Sequence, residues 1–207
     1  RYSDTLMRIQ LAVGLPPAHF GVQAKRFINY FDGRGAISFQ FRGKPYAVYI
    51  ENTACFPQSF SAAVATVKNL TASPKVLVVD IGGFTADYVR LRNGVPDMSA
   101  CDSLENGVIL LYNRVRARAN AELDVLLDES EIDCILRGEV MDEVRANWKE
   151  LLHIPDTHEV VFLGGGANLL RRQIEASGKV GQATFVEDIN ANARGYAYLY
   201  RLQHGER

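Results

Sequence analysis

Cysteine is scarce in this sequence. Cys55, Cys101 and Cys134 are odd in number and far apart, so neither a disulfide framework nor a zinc ligand set reads from them. They are expected to be reduced thiols. The four histidines, His19, His153, His158 and His204, show no HxxxH or HExxH spacing, which argues against a histidine-built metal site. Long hydrophobic runs are missing as well: no stretch approaches the roughly 18 apolar residues of a transmembrane helix. The opening RYSDTLMRIQ has no charged segment leading into an apolar core and a small-residue cleavage site, so no secretory signal is read there. Neither sign of charge is in excess. With 23 Lys+Arg against 24 Asp+Glu the formal net charge is −1, which argues against nucleic-acid binding through overall basicity and leaves a local patch open. What remains is the composition of an ordinary globular chain of 207 residues, 47% apolar and 23% charged. That length suits one large domain or two small ones, and the expected compartment is the cytoplasm.

No internal repeat or low-complexity linker interrupts the chain. QLAVGLP, from Gln10, reads as a buried strand leaving into a loop, and residues 18–32 as partly helical. ISFQF and PYAVYI flank Arg42-Gly43-Lys44 and predict an antiparallel hairpin, with Phe39 and Phe41 on one face and Tyr46, Val48 and Ile50 sharing another spacing-two set. After Phe56-Pro57-Gln58-Ser59, the segment SFSAAVATVKNL predicts a helix of about ten residues packed closely on something flat. KVLVVDI is a continuous apolar run of the kind found in buried central strands. ADYVRL and residues near 97–102 predict two further strands around an Asn93-Gly94 turn. Residues 105–152 read as helices, closed by Pro155. EVVFLGGGANLLRRQIEAS reads as strand, glycine turn and helix. A short strand near ATFV and a last helix, DINANARGYAYLYRLQ with Asp188 at its N-cap, complete an α/β chain with a mixed sheet and flanking helices.

Two segments carry chemistry. In VLVVDIGGFTADYVRL, Asp80 ends a buried strand and is followed by Gly82, Gly83 and Thr85 in a turn. Glycines there let backbone N–H groups approach an anion, and a carboxylate at the end of so apolar a strand calls for solvation, a hydrogen bond or a cation. Phosphate with magnesium satisfies both features, as does a plain tight hairpin with Asp80 as a turn acceptor. In VVFLGGGANLL, Gly164, Gly165 and Gly166 join a strand to a helix N-terminus, which fits either a nucleotide loop or a close strand–helix packing turn. The spacing matches neither a Rossmann GxGxxG nor a Walker A loop.

Together, DIGGFTAD resembles the second phosphate loop, and VVFLGGGANLL the adenosine loop, of the actin / sugar kinase / heat-shock chaperone ATPase superfamily. AVGLP, the following hairpin, FPQSFSAA and NANARGYAYL are similar to the plasmid-segregation actin-like proteins of the ParM/StbA type, over residues 10–202. The resemblance implies an actin-like (ribonuclease H-like) fold. It implies that Asp80 holds nucleotide-bound Mg2+ through water, and that Gly82, Gly83 and Thr85 surround the β- and γ-phosphates. Gly164, Gly165 and Gly166 would pass under the adenosine, and Gln58 would orient the attacking water. Glutamine is no strong base at neutral pH, but positioning alone supplies much of the rate in phosphoryl transfer. Gly107, at a helix start, is assigned either to the ribose or to packing. Asp87 is assigned a structural role. Asn190, Asn192 and Gly195 are taken to let the last helix lie close to the sheet, with nucleotide contact as the other reading.

One family feature is not found. No apolar strand ending in Asp-x-Gly, the first phosphate loop, occurs between Arg1 and Leu70, and Gly33-Arg34-Gly35 follows a helical stretch instead. The expectation is therefore a chain that begins partway through the first domain. Residues 1–70 would be the rear of domain I, 71–188 domain II, and 189–207 a helix returning toward domain I. The implied function is a bacterial actin-like ATPase using ATP (or GTP) and Mg2+ to form filaments that segregate plasmid DNA through a DNA-binding adaptor. A small-molecule kinase and a non-catalytic nucleotide-binding scaffold are the alternatives. The arginines of RVRARANAEL (Arg114, Arg116, Arg118) read as a solvated helix face or, alternatively, a filament or adaptor contact.

Overall fold

In the computed structural model, which describes residues 6–68, 70, 72–137 and 159–205, the strands gather into two sheets. The first holds β1 (Met7–Leu15), β2 (Ala36–Phe41) and β3 (Lys44–Pro57) in the order β1-β3-β2, with β1 parallel and β2 antiparallel to β3. Helix α1 (Pro17–Phe31) connects β1 to β2 and starts on a proline, whose missing N–H is one the first helical turn leaves unpaired anyway. The predicted hairpin forms because Arg42 (φ 50°) and Gly43 (φ 72°) both take positive φ, the two-residue turn whose twist matches that of its strands. Phe39 lies opposite Tyr46 and stacks on it at 5.7 Å. β1 is present where the sequence placed a strand but none of its residues is buried, because it pairs on one side only, along β3.

The second sheet has the order β6-β5-β4-β7-β8, from β4 (Lys75–Ile81), β5 (Ala86–Arg92), β6 (Val95–Leu104), β7 (Glu159–Leu163) and β8 (Ala183–Phe185). β4, β5 and β6 are antiparallel neighbours, and β7 and β8 continue parallel to β4, giving the mixed sheet. The β5–β6 turn repeats the device of the first hairpin, with Asn93 at φ 50° and Gly94 at φ 77°. Central β4 is covered on both faces, which is why its sequence is apolar without alternation. Leu77, Val79 and Ile81 pack beneath α3 (Val108–Leu123), α4 (Glu129–Arg137), α5 (Gly165–Leu169) and α6 (Arg171–Ala176). Val76 and Val78 face Ala62 and Ala63 of α2 (Phe60–Thr66) and Ala191 of α7 (Ala191–His204). Asp80 continues the Val76/Val78 parity, so strand geometry alone turns it toward α2 and α7.

α7 ties the two sheets together. A Cβ on Gly195 would overlap the Ser61 carbonyl of α2, and one on Gly14 of β1 would overlap the Tyr196 ring. Tyr196 also stacks on Phe56 at 6.4 Å, and the Tyr200 hydroxyl donates to Gln10 Oε1 at 2.8 Å. Gly195 thus serves close packing as expected, against α2 rather than the sheet.

Several local expectations are corrected. α2 runs only to Thr66, since Val67 is already extended (φ −97°, ψ 119°). The helix after the triple glycine is two short ones, divided at buried Leu170. α7 begins at Ala191 with Asn190 at the N-cap position; Asp188 Oδ1 instead accepts the Asn190 N–H at 2.9 Å, closing the turn before the helix. The helix expected over 139–152 and its closing Pro155 lie outside the described residues. The three cysteines are half-buried and stand outside any disulfide. Among the described residues no helix is long and apolar enough to cross a membrane, and no group of His, Cys, Asp and Glu is arranged to hold a metal by itself.

Candidate functional site

Asp80 sits one residue before the end of β4 and is only 8% exposed. Burial pushes its carboxyl pKa up; the hydrogen bond from Asn192 opposes that rise, and the nearby charge of Asp87 adds to it. Asp87 lies directly opposite in the β4–β5 ladder, is buried as well, and burial likewise raises its carboxyl pKa. The Thr85 hydroxyl donates to Asp87 Oδ2 at 3.4 Å. Two buried carboxylates on one face, at the end of a strand, form a concentration of negative charge suited to a cation.

The turn at 82–85 is held by its carbonyls. The Gly82 N–H donates to Thr85 O at 2.9 Å. The start of α3 then donates into the loop: Gly107 N–H to Phe84 O, Val108 N–H to Gly82 O and Ile109 N–H to Gly83 O, at 3.0, 3.0 and 2.9 Å. Donors that a helix N-terminus would otherwise leave unpaired thereby brace the loop. Among the described residues, the N–H groups of Gly83, Phe84 and Thr85 make no backbone hydrogen bond. Three successive free donors are the components of an anion-binding nest. Gly107 shows its packing role here, since a Cβ there would overlap the Gly83 carbonyl.

The three consecutive glycines have three different surroundings. Gly164, at φ 89° and ψ 162°, occupies backbone space that is essentially glycine's alone, and a Cβ would overlap Asp80 Oδ1. At Gly166 a Cβ would come within 2.5 Å of Val108 Cγ2 and 2.6 Å of Ile81 Cγ2. Gly165 meets nothing within 4 Å. The outer two let the turn close on β4 and α3; the middle one leaves its face open.

Gln58 arrives from the other sheet. Its N–H donates to Leu15 O at 2.8 Å, tying it to the end of β1, and its side chain lies within hydrogen-bonding reach of the Tyr196 hydroxyl. Burial holds the Tyr196 pKa up at about 12, and Asp80 is among the charges that contribute. The next residue, Ser59, is fully buried at φ 62° and ψ −57°, with the Phe60 N–H turned back to Gln58 O. That is a γ-turn of the rare, strained hand. The Ser59 Oγ is buried without a hydrogen-bond partner.

One side chain connects these parts. Asn192 Nδ2 donates to Asp80 Oδ2 at 2.7 Å, and Asn192 Oδ1 accepts the Ser59 N–H at 2.8 Å. Because a backbone N–H can only donate and a carboxylate oxygen accepts, the amide has one sensible orientation. Asp80, Gly82, Gly83, Thr85, Gly107, Gly164 and Gly166 therefore form one contiguous cluster. Gln58 joins it through Ser59 and Asn192, and Gly165 borders it as an open face. Ser59, Tyr196 and Gly14 carried no sequence assignment. A usable signal was the N-x-x-G-Y spacing of Asn192, Gly195 and Tyr196, which sets all three on one helical face. Two of the three arginines of α3 are engaged locally: Arg116 Nε donates to Leu127 O at 2.9 Å and Arg118 pairs with Glu122 at 2.9 Å.

No protein-family model matches the sequence, and no curated protein matches it by sequence. Solved structures do match in three dimensions. The archaeal actin homolog Ta0583 in complex with ADP superposes with a TM-score of 0.72 at 17% identity, over 95% of this chain and 72% of that one. The actin-like protein Alp7A gives 0.68 at 18% identity, over 99% and 70%. The apo psk41 ParM protein gives 0.63 at 17% identity, over 98% and 66%. The chain therefore has the actin-like fold, as its sequence led us to expect, and spans 66–72% of the length of these structures.

Proposed function

We propose that this chain carries the nucleotide site of an actin-like ATPase of the ParM type, which assembles into filaments and moves plasmid DNA through a DNA-binding adaptor in the cytoplasm. The observation that carries the reading is a buried carboxylate, Asp80, set between two glycine turns, one with three free N–H donors and one with an open glycine face. The fold supports it, since one structure sharing this fold is an ADP complex and another is described as a filament.

The residues present fit nucleotide and Mg2+. Asp80 would hold the cation through water, with Asp87 adding to the local negative charge. Bound magnesium supplies charge neutralisation at the β- and γ-phosphates. The N–H groups of Gly83, Phe84 and Thr85 would cradle phosphate oxygens in the turn that Gly82 closes, joined by the Thr85 hydroxyl once it turns from Asp87, and Gly165 would lie beneath the adenosine. Gly107 braces the phosphate turn and would lie near the ribose. Gln58, held through its N–H by Leu15 O, would orient the attacking water without accepting its proton. ATP is the expected nucleotide, with GTP tested beside it. The near-neutral charge favours indirect contact with DNA through the adaptor. Residues 1–70, 71–188 and 189–207 serve as rear of domain I, domain II and returning helix.

Calorimetric titration of the chain with MgATP, beside Asp80→Ala, tests this reading, with phosphate release and sedimentation followed in parallel. Expected are binding and slow phosphate release that need no acceptor sugar, both lost in Asp80→Ala, with nucleotide-dependent sedimentation. Release that depends on an added hydroxyl acceptor would make it a kinase. Binding without release or sedimentation would leave a nucleotide-binding scaffold, and no binding would overturn the reading.

A further inference from the structure

We propose that Asn192 is a positioning residue that sets the Gln58–Ser59 turn in register with Asp80. Asp80 belongs to the five-stranded sheet, and Gln58 and Ser59 follow the last strand of the three-stranded one. Asn192 spans the two with one amide: Nδ2 on Asp80 Oδ2 at 2.7 Å and Oδ1 on the Ser59 N–H at 2.8 Å. α7 itself is fixed to the smaller sheet and α2, through Gly195 against Ser61 and Tyr196 against Gly14. Its first residue, Ala191, also packs against Val76 and Val78 of the larger sheet, so the helix is seated on both sides and its second residue supplies the polar link between them.

The turn it holds is closed by the Phe60 N–H on Gln58 O and tied to Leu15 O through the Gln58 N–H, but it is strained at Ser59. Ser59 has strained positive φ, no room for solvent and no partner for its hydroxyl, so its conformation must be fixed from outside. The bond from Asn192 to its N–H is a visible external restraint. Releasing that bond lets the turn relax and moves Gln58 relative to Asp80. Displacements of about 1 Å between reacting groups cost on the order of 100-fold in rate. The amide is also matched to the charge it meets, since donation from Nδ2 favours ionised Asp80.

The kinetic consequence rests on the ATPase reading above; the structural one does not, and the two are measured separately. In nucleotide-free protein, amide hydrogen exchange at Ser59 is compared in wild type, Asn192→Ala and Asn192→Asp. Asn192→Ala should speed Ser59 exchange by at least about 10-fold while the strands of both sheets stay protected. Asn192→Asp keeps an acceptor for the Ser59 N–H and, at a pH where the new carboxyl and Asp80 share one proton, a hydrogen bond to Asp80, so Ser59 should stay slow there. The Asp variant also answers the question if the Ala variant fails to fold. Unchanged exchange in Asn192→Ala, or fast exchange in Asn192→Asp at that pH, overturns the proposal.

With MgATP, Asn192→Ala should lower kcat about 10- to 100-fold with little change in KM, and the Asn192→Ala/Gln58→Ala double variant should be no slower than Gln58→Ala alone. Additive losses, or an unchanged kcat, overturn the positioning role even if Ser59 exchange rises. Absence of ATP turnover in every variant sinks the ATPase reading, and the exchange measurements still decide whether Asn192 holds the turn.

Discussion

Replacing Gly164 with alanine isolates what the triple-glycine turn costs to build. At φ 89° and ψ 162° an alanine takes on about 1–3 kcal/mol of backbone strain. Its methyl would also overlap Asp80 Oδ1 and stand 2.6 Å from Ile81 O, an overpacking of about 1–3 kcal/mol. The sum, about 2–6 kcal/mol, is a large share of the roughly 5–15 kcal/mol that holds a typical domain folded. Gly165→Ala is the internal control. It is the next residue, its new methyl meets nothing within 4 Å, and its stability change should fall within about 0.5 kcal/mol of zero. Urea unfolding followed by far-ultraviolet circular dichroism gives both values, read from the midpoint at constant slope. A loss below about 0.5 kcal/mol for Gly164→Ala, or equal losses at the two positions, would refute the assignment of close approach to Gly164 and open space to Gly165. The same pair separates fold from binding: Gly165→Ala should weaken MgATP binding while leaving stability intact.

The buried carboxylates should reveal themselves in pH dependence. Burial raises the folded pKa of Asp80 above its ordinary 3.8, so the folded state binds the proton more tightly and stability falls as pH climbs through that window. Asp80→Asn should therefore raise Tm at neutral pH, with a gain that shrinks as pH falls toward 3.8. A gain independent of pH would mean the charge is not what burial penalises. Gly195→Ala should cost about 1–3 kcal/mol by pushing α7 off the Ser61 carbonyl. Denaturant unfolding checks this against Ala197→Ser on the exposed side of the same helix. A neutral Gly195→Ala would mean that α7 is not seated on α2.

Much of this architecture was readable from local chemistry. KVLVVDI announces a strand covered on both faces, and Arg42-Gly43 and Asn93-Gly94 announce hairpins, because each signal depends only on residues adjacent in the chain. The two glycine turns were legible for the same reason. The Asn192–Asp80 bond was not, because its partners are separated by 112 positions and no local rule pairs them. Ser59 was hidden differently: nothing about a serine announces positive φ, and the strain is imposed by the packing around it. Gly107 had two readings, and only the Gly83 carbonyl beside it shows what the missing side chain makes room for. The break at Leu170 likewise comes from tertiary packing, since LLRRQIEA is helical by composition throughout.

The order of synthesis gives α7 one further consequence. Both sheets leave the ribosome before Asn192 does, so a nascent chain paused ahead of residue 190 has Asp80 and the Gln58–Ser59 turn in hand, with α1 and α2 available to pack between the sheets but without the amide that bonds to both sides. The two halves can each condense early and begin to pack through α1 and α2, while the amide that bonds to both arrives only with α7. The polar link between Asp80 and Ser59 is thereby the last part of this cluster that the order of synthesis allows to form.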